Sequence, residues 1–283
     1  MTDISGYLVA AAWDECECPL MNHPPVALTP EVNALLASNS PVAIGVSGGK
    51  DSSAVAFATV EHLSRIGHTG PRLLVHSDLG ATEWRQSLEW CQKLSSRLGL
   101  ELVVVRREKG DMMDRWEQRW ADNAARYEQL LCVRLILPWS TPAMRFCTSE
   151  MKVSPICQAL SQRFSGQTIV NVNGIRRAES AGRACQPITK PQPKLGSKTR
   201  ETDGVDWHPI IDWSLDDVLS YLEAVEFPLH PAYLVWKLTR VSCVFCIMSA
   251  IDDLRNAARC PANHEIYRRM VRLEIRSTFA FQG

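Results

Sequence analysis

Apolar residues along this chain gather into short continuous runs separated by longer amphipathic stretches. Four runs have strand character: Pro41 to Val46, Arg72 to His76, Glu101 to Val105 and Thr168 to Val172. Helical patterns lie between them, notably over 52–66 and 82–98, with Gly67 and Gly99 placed to end them. Upstream, Thr29-Pro30-Glu31 reads as a helix start, a capping hydroxyl followed by proline in the first turn. Strand alternating with helix predicts an α/β fold with a doubly wound, mostly parallel sheet, whose ligands bind beyond the carboxyl ends of the strands.

The pattern divides the chain into three stretches. Residues 1–28 hold Cys16-Glu17-Cys18 with Pro19, Pro24 and Pro25 and read as an irregular arm; 29–205 form the α/β domain; 206–283 form a helical, cysteine-containing segment packed on that domain. Between Gly174 and Gly204 periodicity fades and Pro187, Pro191 and Pro193 appear, which predicts a long loop over the ligand site. No internal repeat is visible.

At 283 residues and 46% hydrophobic content the chain can bury a substantial core. Its apolar runs fall well short of the roughly 20 residues that cross a bilayer. Asp3, Asp14 and Glu15 stand where a leader would be basic and apolar, so a soluble cytoplasmic protein with no membrane contact is expected. Equal numbers of basic and acidic residues, 31 each, leave no net field to draw the chain onto nucleic acid.

The richest chemistry lies in Ser47-Gly48-Gly49-Lys50-Asp51-Ser52, between the first apolar run and a helical pattern. A strand that turns through two glycines into a helix start lets backbone N–H groups converge on an anion. Ser47 and Ser52 add hydroxyls and Lys50 a cation. The spacing matches neither the dinucleotide fingerprint nor the G-x-x-x-x-G-K-[ST] loop. The second run ends in Ser77-Asp78-Leu79-Gly80-Ala81-Thr82-Glu83, so both tips can face one ligand. Asp51 and Asp78 can hold Mg²⁺ on a polyphosphate, with helix capping as the other role for Asp51. Glu83 and Trp84 are expected to open the next helix, and His76 and His208 to be structural. From Arg176 to Arg200 the basic residues Arg176, Arg177, Arg183, Lys190, Lys194, Lys198 and Arg200 face only Glu179, an arrangement suited to phosphates.

Ten cysteines in a chain without an export signal point to metal or sulfur chemistry rather than disulfides. Cys243 and Cys246 are spaced to reach one metal or one cluster edge. Cys91, Cys132 and Cys157 are expected to be buried on helix faces, and Cys185 to lie in the basic loop.

The Ser47–Ser52 loop resembles the Ser-Gly-Gly-x-Asp-Ser loop of the PP-loop ATP pyrophosphatases, which split ATP between the α and β phosphates. Further segments resemble one branch of that family in family order. They are Asp78 to Glu83; Arg145-Phe146-Cys147-Thr148 with Lys152 and Pro155; Gly174-Ile175-Arg176-Arg177 through Arg183; Pro209-Ile210-Ile211-Asp212-Trp213 with Asp217-Val218; and Arg240 to Cys246. The branch holds the adenylylsulfate and phosphoadenylylsulfate reductases and the ATP pyrophosphatases of DNA phosphorothioation (DndC and SspD types). Iron–sulfur reductases carry a Cys-Cys pair where this chain has Phe146-Cys147, and a catalytic cysteine near the end of the chain where this sequence reads Phe279-Ala280-Phe281. Those departures favour the phosphorothioation type.

The resemblance implies an adenine nucleotide alpha hydrolase-like fold. It implies catalytic roles for Ser47, Lys50, Asp51 and Arg176, and nucleotide contacts from Ser47 to Ser52, including Gly48 and Gly49, and from Asp78, Gly174, Arg177 and Arg183. A [4Fe-4S] cluster on Cys147, Cys243, Cys246 and Cys260 is expected, with zinc as the alternative occupant; Cys260-Pro261 is similar to the end of a ferredoxin-type ligand run. The implied reaction uses Mg-ATP to adenylate an acceptor, a DNA backbone phosphate, for sulfur incorporation. Its partners are a cysteine desulfurase as sulfur donor, DNA reached through partner subunits, and other phosphorothioation proteins. Alternatives are an activated-sulfate reductase, a tRNA thiolase and a catalytically silent nucleotide-binding subunit.

Overall fold

The computed structural model describes residues 23–282, so the Cys16-Glu17-Cys18 portion of the expected arm lies outside the described residues. Six strands are present: β1 (Val42–Gly45), β2 (Arg72–Asp78), β3 (Glu101–Arg106), β4 (Thr168–Val172), β5 (Thr189–Pro191) and β6 (Asp203–Trp207). They form one sheet in the order β3-β2-β1-β4-β6-β5, parallel throughout except for β5 on β6. From β1 the chain winds first toward β2 and β3, then crosses back to β4. The crevice between the tips of β1 and β4 is therefore the switch point at which such sheets take ligands.

The helices α1 (Pro30–Ala37), α2 (Lys50–Arg65), α3 (Ser87–Leu98) and α4 (Met112–Glu128) belong to the first half. Helices cover both faces of the sheet, which is why β1 reads as an unbroken apolar run: Val42, Ala43 and Ile44 have no exposed surface. Thr29 caps α1 as expected, its hydroxyl accepting the Val32 N–H at 3.3 Å with Pro30 in the first turn. Gly67 and Gly99 follow the ends of α2 and α3.

Three expectations are corrected. The stretch from Gly174 to Gly204 is not a plain loop, because β5 runs antiparallel on β6 and brings this segment into the sheet. Buried Asp206 holds the arrangement, accepting from Asn171 Nδ2 at 2.6 Å on β4 and from Gln192 Nε2 at 2.8 Å. The second helix begins at Ser87 rather than 82, so Glu83 and Trp84 precede it. Cys91 and Cys157 are buried on helices, whereas Cys132 is only half-buried and lies beyond α4, outside any helix.

β6 spans Asp203–Trp207 and so straddles the expected boundary between residues 205 and 206. That segment contributes helices Leu215–Ala224, Ile251–Arg259 and His264–Ser277. A second core forms where it meets α4: Trp116, Trp139 and Phe281 pack edge to face with centroids 5.2–5.8 Å apart. No helix among the described residues is long and apolar enough to cross a membrane.

Candidate functional site

The loop Ser47–Ser52 leaves β1 at the switch point and enters α2. Gly48 has φ +74°, a left-handed turn that favours glycine, and a Cβ there would meet the Ser87 carbonyl at 3.2 Å. Ser52 braces the turn from within. Its hydroxyl donates to the Gly49 carbonyl at 2.8 Å and accepts the Ser47 N–H at 3.2 Å and the Ser47 hydroxyl at 3.3 Å. Gly49 precedes the helix with no side-chain cap, so the first-turn N–H groups are not capped by a local side chain.

Arg176 joins the loop from the tip of β4. Its Nε donates to Asp51 Oδ1 at 2.6 Å, and Lys50 Nζ lies 3.5 Å from the other carboxylate oxygen. Gly174 makes this approach possible: a Cβ would meet the Asp51 carbonyl at 2.6 Å and Val55 at 2.9 Å. Lys50 Nζ also donates to the Thr239 carbonyl at 3.2 Å. Thr239 is held in turn by Asp253, through its N–H at 2.9 Å and its hydroxyl at 2.7 Å.

Two more motifs meet behind Arg176. Arg177 forms an ion pair with Asp212, and its N–H donates to the Ile211 carbonyl at 2.8 Å, so the Gly-Ile-Arg-Arg segment is bolted to Pro209–Trp213. Arg183 pairs with Glu179, which accepts the Arg176 N–H at 2.9 Å. Farther along, Lys190 donates to Gln186 and Lys194 to Ser149 and Ser154, so these cations serve internal contacts.

The carboxylates expected to hold Mg²⁺ are already engaged. Asp51 sits between Arg176 and Lys50, and Asp78 accepts the Gly80 N–H at 2.7 Å with Arg106 3.8 Å away. This arrangement does not fit a carboxylate-bound Mg²⁺, and Asp51 caps no helix either: it is an ion-pair partner.

Cys243, Cys246 and Cys147 are close enough to influence one another electrostatically. Although Cys243 is only half-buried as a residue, burial of its thiol pushes the pKa up to about 12, partly offset by Lys152. Cys246 Sγ accepts the Met248 N–H at 3.4 Å, and Cys260 is buried in the second core. No three His, Cys, Asp or Glu side chains among the described residues are placed to hold a metal ion. Phe146, where the reductases carry a cysteine, packs its ring 5.0 and 5.1 Å from the guanidinium carbons of Arg115 and Arg119.

Sequence reasoning missed the segment His230–Thr239, which lies directly on the loop. Tyr233 Oη accepts the Lys50 N–H and the Val241 N–H, both at 3.2 Å, and Lys50 Nζ lies 5.0 Å from its ring. The His-Pro-Ala-Tyr string was the available signal, but nothing local shows where it docks. Shallow depressions elsewhere, along Glu89 and Lys93 or along Asp114 and Glu117, include no strand-tip residue.

Fold and loop together define an α/β protein built to hold an anionic ligand at a glycine turn between strand and helix. The chain belongs to the phosphoadenosine phosphosulfate reductase domain family, which it matches over residues 41–248. It is 37% identical over 91 residues to a phosphoadenosine 5'-phosphosulfate reductase of Xanthomonas oryzae pv. oryzae, covering 32% of each protein. To an adenosine 5'-phosphosulfate reductase of Rhizobium tropici it is 31% identical over 94 residues, 33% of this chain and 46% of that protein. The chain thus matches less than half the length of these relatives. Among solved structures, phosphoadenylyl-sulfate reductase from Candida auris superposes with TM-score 0.44 at 12% identity, over 78% of this chain and 98% of that one. The U34-tRNA thiolase NcsA from Methanococcus maripaludis, solved with its [4Fe-4S] cluster, gives TM-score 0.36 at 16% identity, over 83% and 72%.

Proposed function

We propose that this chain is an enzyme that binds an adenine nucleotide by its phosphates in the Ser47–Ser52 loop and carries out sulfur-linked chemistry there. One observation carries the reading: a glycine turn at the sheet's switch point gathers a helix start, two hydroxyls, Lys50 and Arg176 around one loop. In the specific form, ATP lies with its β and γ phosphates on the loop. An oxygen of a DNA backbone phosphate attacks the α-phosphorus, and pyrophosphate leaves. The terminal sulfur of a desulfurase persulfide then attacks the adenylated DNA phosphorus, AMP leaves, and a thiol cleaves the remaining S–S bond. Positioning and charge neutralisation dominate such phosphoryl chemistry, in keeping with a site of glycines, hydroxyls and cations.

A second reading, reduction of phosphoadenylylsulfate to sulfite, draws equal support from the family description and the names of the similar reductases. One anaerobic preparation separates the two. Pyrophosphate release from ATP in the presence of DNA and a persulfide donor supports the first; sulfite release from phosphoadenylylsulfate with a dithiol reductant supports the second. Neither product from active partner components would overturn the enzymatic reading.

A further inference from the structure

The segment His230–Val241 contributes two side chains to the phosphate loop that no motif includes. Tyr233 Oη receives the N–H of Lys50, the first residue of α2, and the N–H of Val241, both at 3.2 Å. Two backbone donors converging on one oxygen, with an ammonium 5.0 Å from the ring, is how an oxyanion is usually held. A neutral phenol oxygen occupies that place here.

Beside it, His230 is 1% exposed, and its Nε2 has no hydrogen-bond partner. The Nδ1 atom accepts the Ala232 N–H at 3.0 Å, so the proton of the neutral ring sits on Nε2. Burial, slightly opposed by Glu89, pulls the pKa down to about 4, which keeps the ring neutral. The ring edge faces the loop, with Cδ2, the atom bonded to Nε2, 3.3 Å from where a Gly48 Cβ would stand. A buried N–H donor left unpaired is costly and calls for an acceptor.

We propose that His230–Val241 is the second wall of the oxyanion site: the Tyr233 hydroxyl holds the place of a ligand oxygen, and His230 Nε2–H is a further donor to the same polyphosphate. Ligand entry then displaces Tyr233 from the Lys50 and Val241 amides, and an anionic oxygen takes both bonds. The inference rests on the phosphate-loop reading above and adds to it a competitor and a ligand.

The test uses the full chain and inorganic pyrophosphate, titrated calorimetrically at fixed ionic strength. Tyr233→Phe removes the competing oxygen and should tighten binding by about threefold to tenfold, the worth of one exchanged hydrogen bond. His230→Phe should weaken binding about tenfold or more, while His230→Gln, which keeps an N–H, should recover most of the loss. Unchanged affinity in both His230→Phe and Tyr233→Phe overturns the inference. Because these variants can misfold, the wild-type protein crystallised with pyrophosphate gives an independent answer. Tyr233 still on the Lys50 amide with ligand bound elsewhere overturns the proposal, and a phosphate oxygen in its place supports it. Ser47→Ala separates the two levels. Wild-type protein that fails to bind pyrophosphate removes the loop reading and this inference with it. Binding that Ser47→Ala abolishes but the His230 and Tyr233 variants leave untouched removes this inference alone.

Discussion

His76 and Glu83 form a buried pair that ties the tip of β2 to the stem of the phosphate loop. Nε2 of the ring lies 3.1 Å from Glu83 Oε1, and Nδ1 lies 3.0 Å from the carbonyl of Val46, the residue before Ser47. The other oxygen of Glu83 accepts the Leu79 N–H at 3.1 Å. Nε2 has no aligned hydrogen-bond partner, so a protonated ring would meet Glu83 as one charge meets another. Sequence placed His76 as structural and Glu83 on a helix; the structure keeps the first assignment and gives Glu83 a different task.

This pair makes stability depend on pH. Burial works against charge on the ring, but contacts with Cys91 and Glu83 outweigh it and raise the His76 pKa from 6.5 to about 10. A pKa raised by folding gives stabilisation that is complete below about pH 6.5 and lost as pH climbs through about 10. Thermal unfolding of the wild type should therefore fall between pH 6.5 and 10 more steeply than that of His76→Gln, with each kcal/mol worth roughly 2–4 °C at this chain length. Parallel curves for the two proteins would mean that the ring is neutral.

Asp51 and Arg176, 125 residues apart in sequence, act as a unit on the loop. Their side chains are 16% and 6% exposed, so removing the carboxylate strands a nearly buried guanidinium. Asp51→Ala should cost about 3 kcal/mol in urea unfolding, and adding Arg176→Ala should cost much less than the sum of the two single changes. Strict additivity would show that the two side chains are energetically independent. Both variants should also lose ATP binding, because the cations of the site then lack their fixed position.

Much of this site was legible because its information is local. The loop, the first three strands and the Thr29 cap each follow from a few adjacent residues whose backbone preferences agree. The edge strand β5 (Thr-Lys-Pro) and its neighbour β6 (Asp-Gly-Val-Asp-Trp) were hidden because proline, glycine and aspartate disfavour strand, and the Asp206 network compensates. The contact between Tyr233 and the loop was hidden for a different reason. Tyr233 meets Lys50 across 183 residues, and no periodicity encodes a contact at that range. Asp51 and Asp78 read as free ligands for a related reason: the arginines beside them come from other segments, Arg176 beyond the tip of β4 and Arg106 at the end of the neighbouring β3.

The cysteines should separate by reactivity. Cys185 is exposed, whereas burial pushes the Cys243 thiol up to about 12 and leaves almost no thiolate at pH 8. Iodoacetamide followed by peptide mass mapping should label Cys185 well before Cys243 in native protein, with the difference vanishing in urea. Early labelling of Cys243 would place its thiol in a more open, cationic setting. Iron and zinc analysis of anaerobically purified protein is the companion measurement, since bound metal would require Cys147, Cys243 and Cys246 to turn toward one another.

Gly174 offers the sharpest test of how the crevice is closed. A methyl group there would stand 2.6 Å from the Asp51 carbonyl oxygen and 2.9 Å from Val55, both parts of α2 and unable to swing aside. Gly174→Ala must therefore push the tip of β4 away from the helix start, at a cost of about 1–3 kcal/mol for an overpacked contact. The same displacement draws Arg176 off Asp51, so nucleotide affinity should fall together with stability even though no ligand-contacting group has been removed. A Gly174→Ala protein with reduced melting temperature but wild-type affinity for ATP would show that the loop holds its ligand without the β4 arginine.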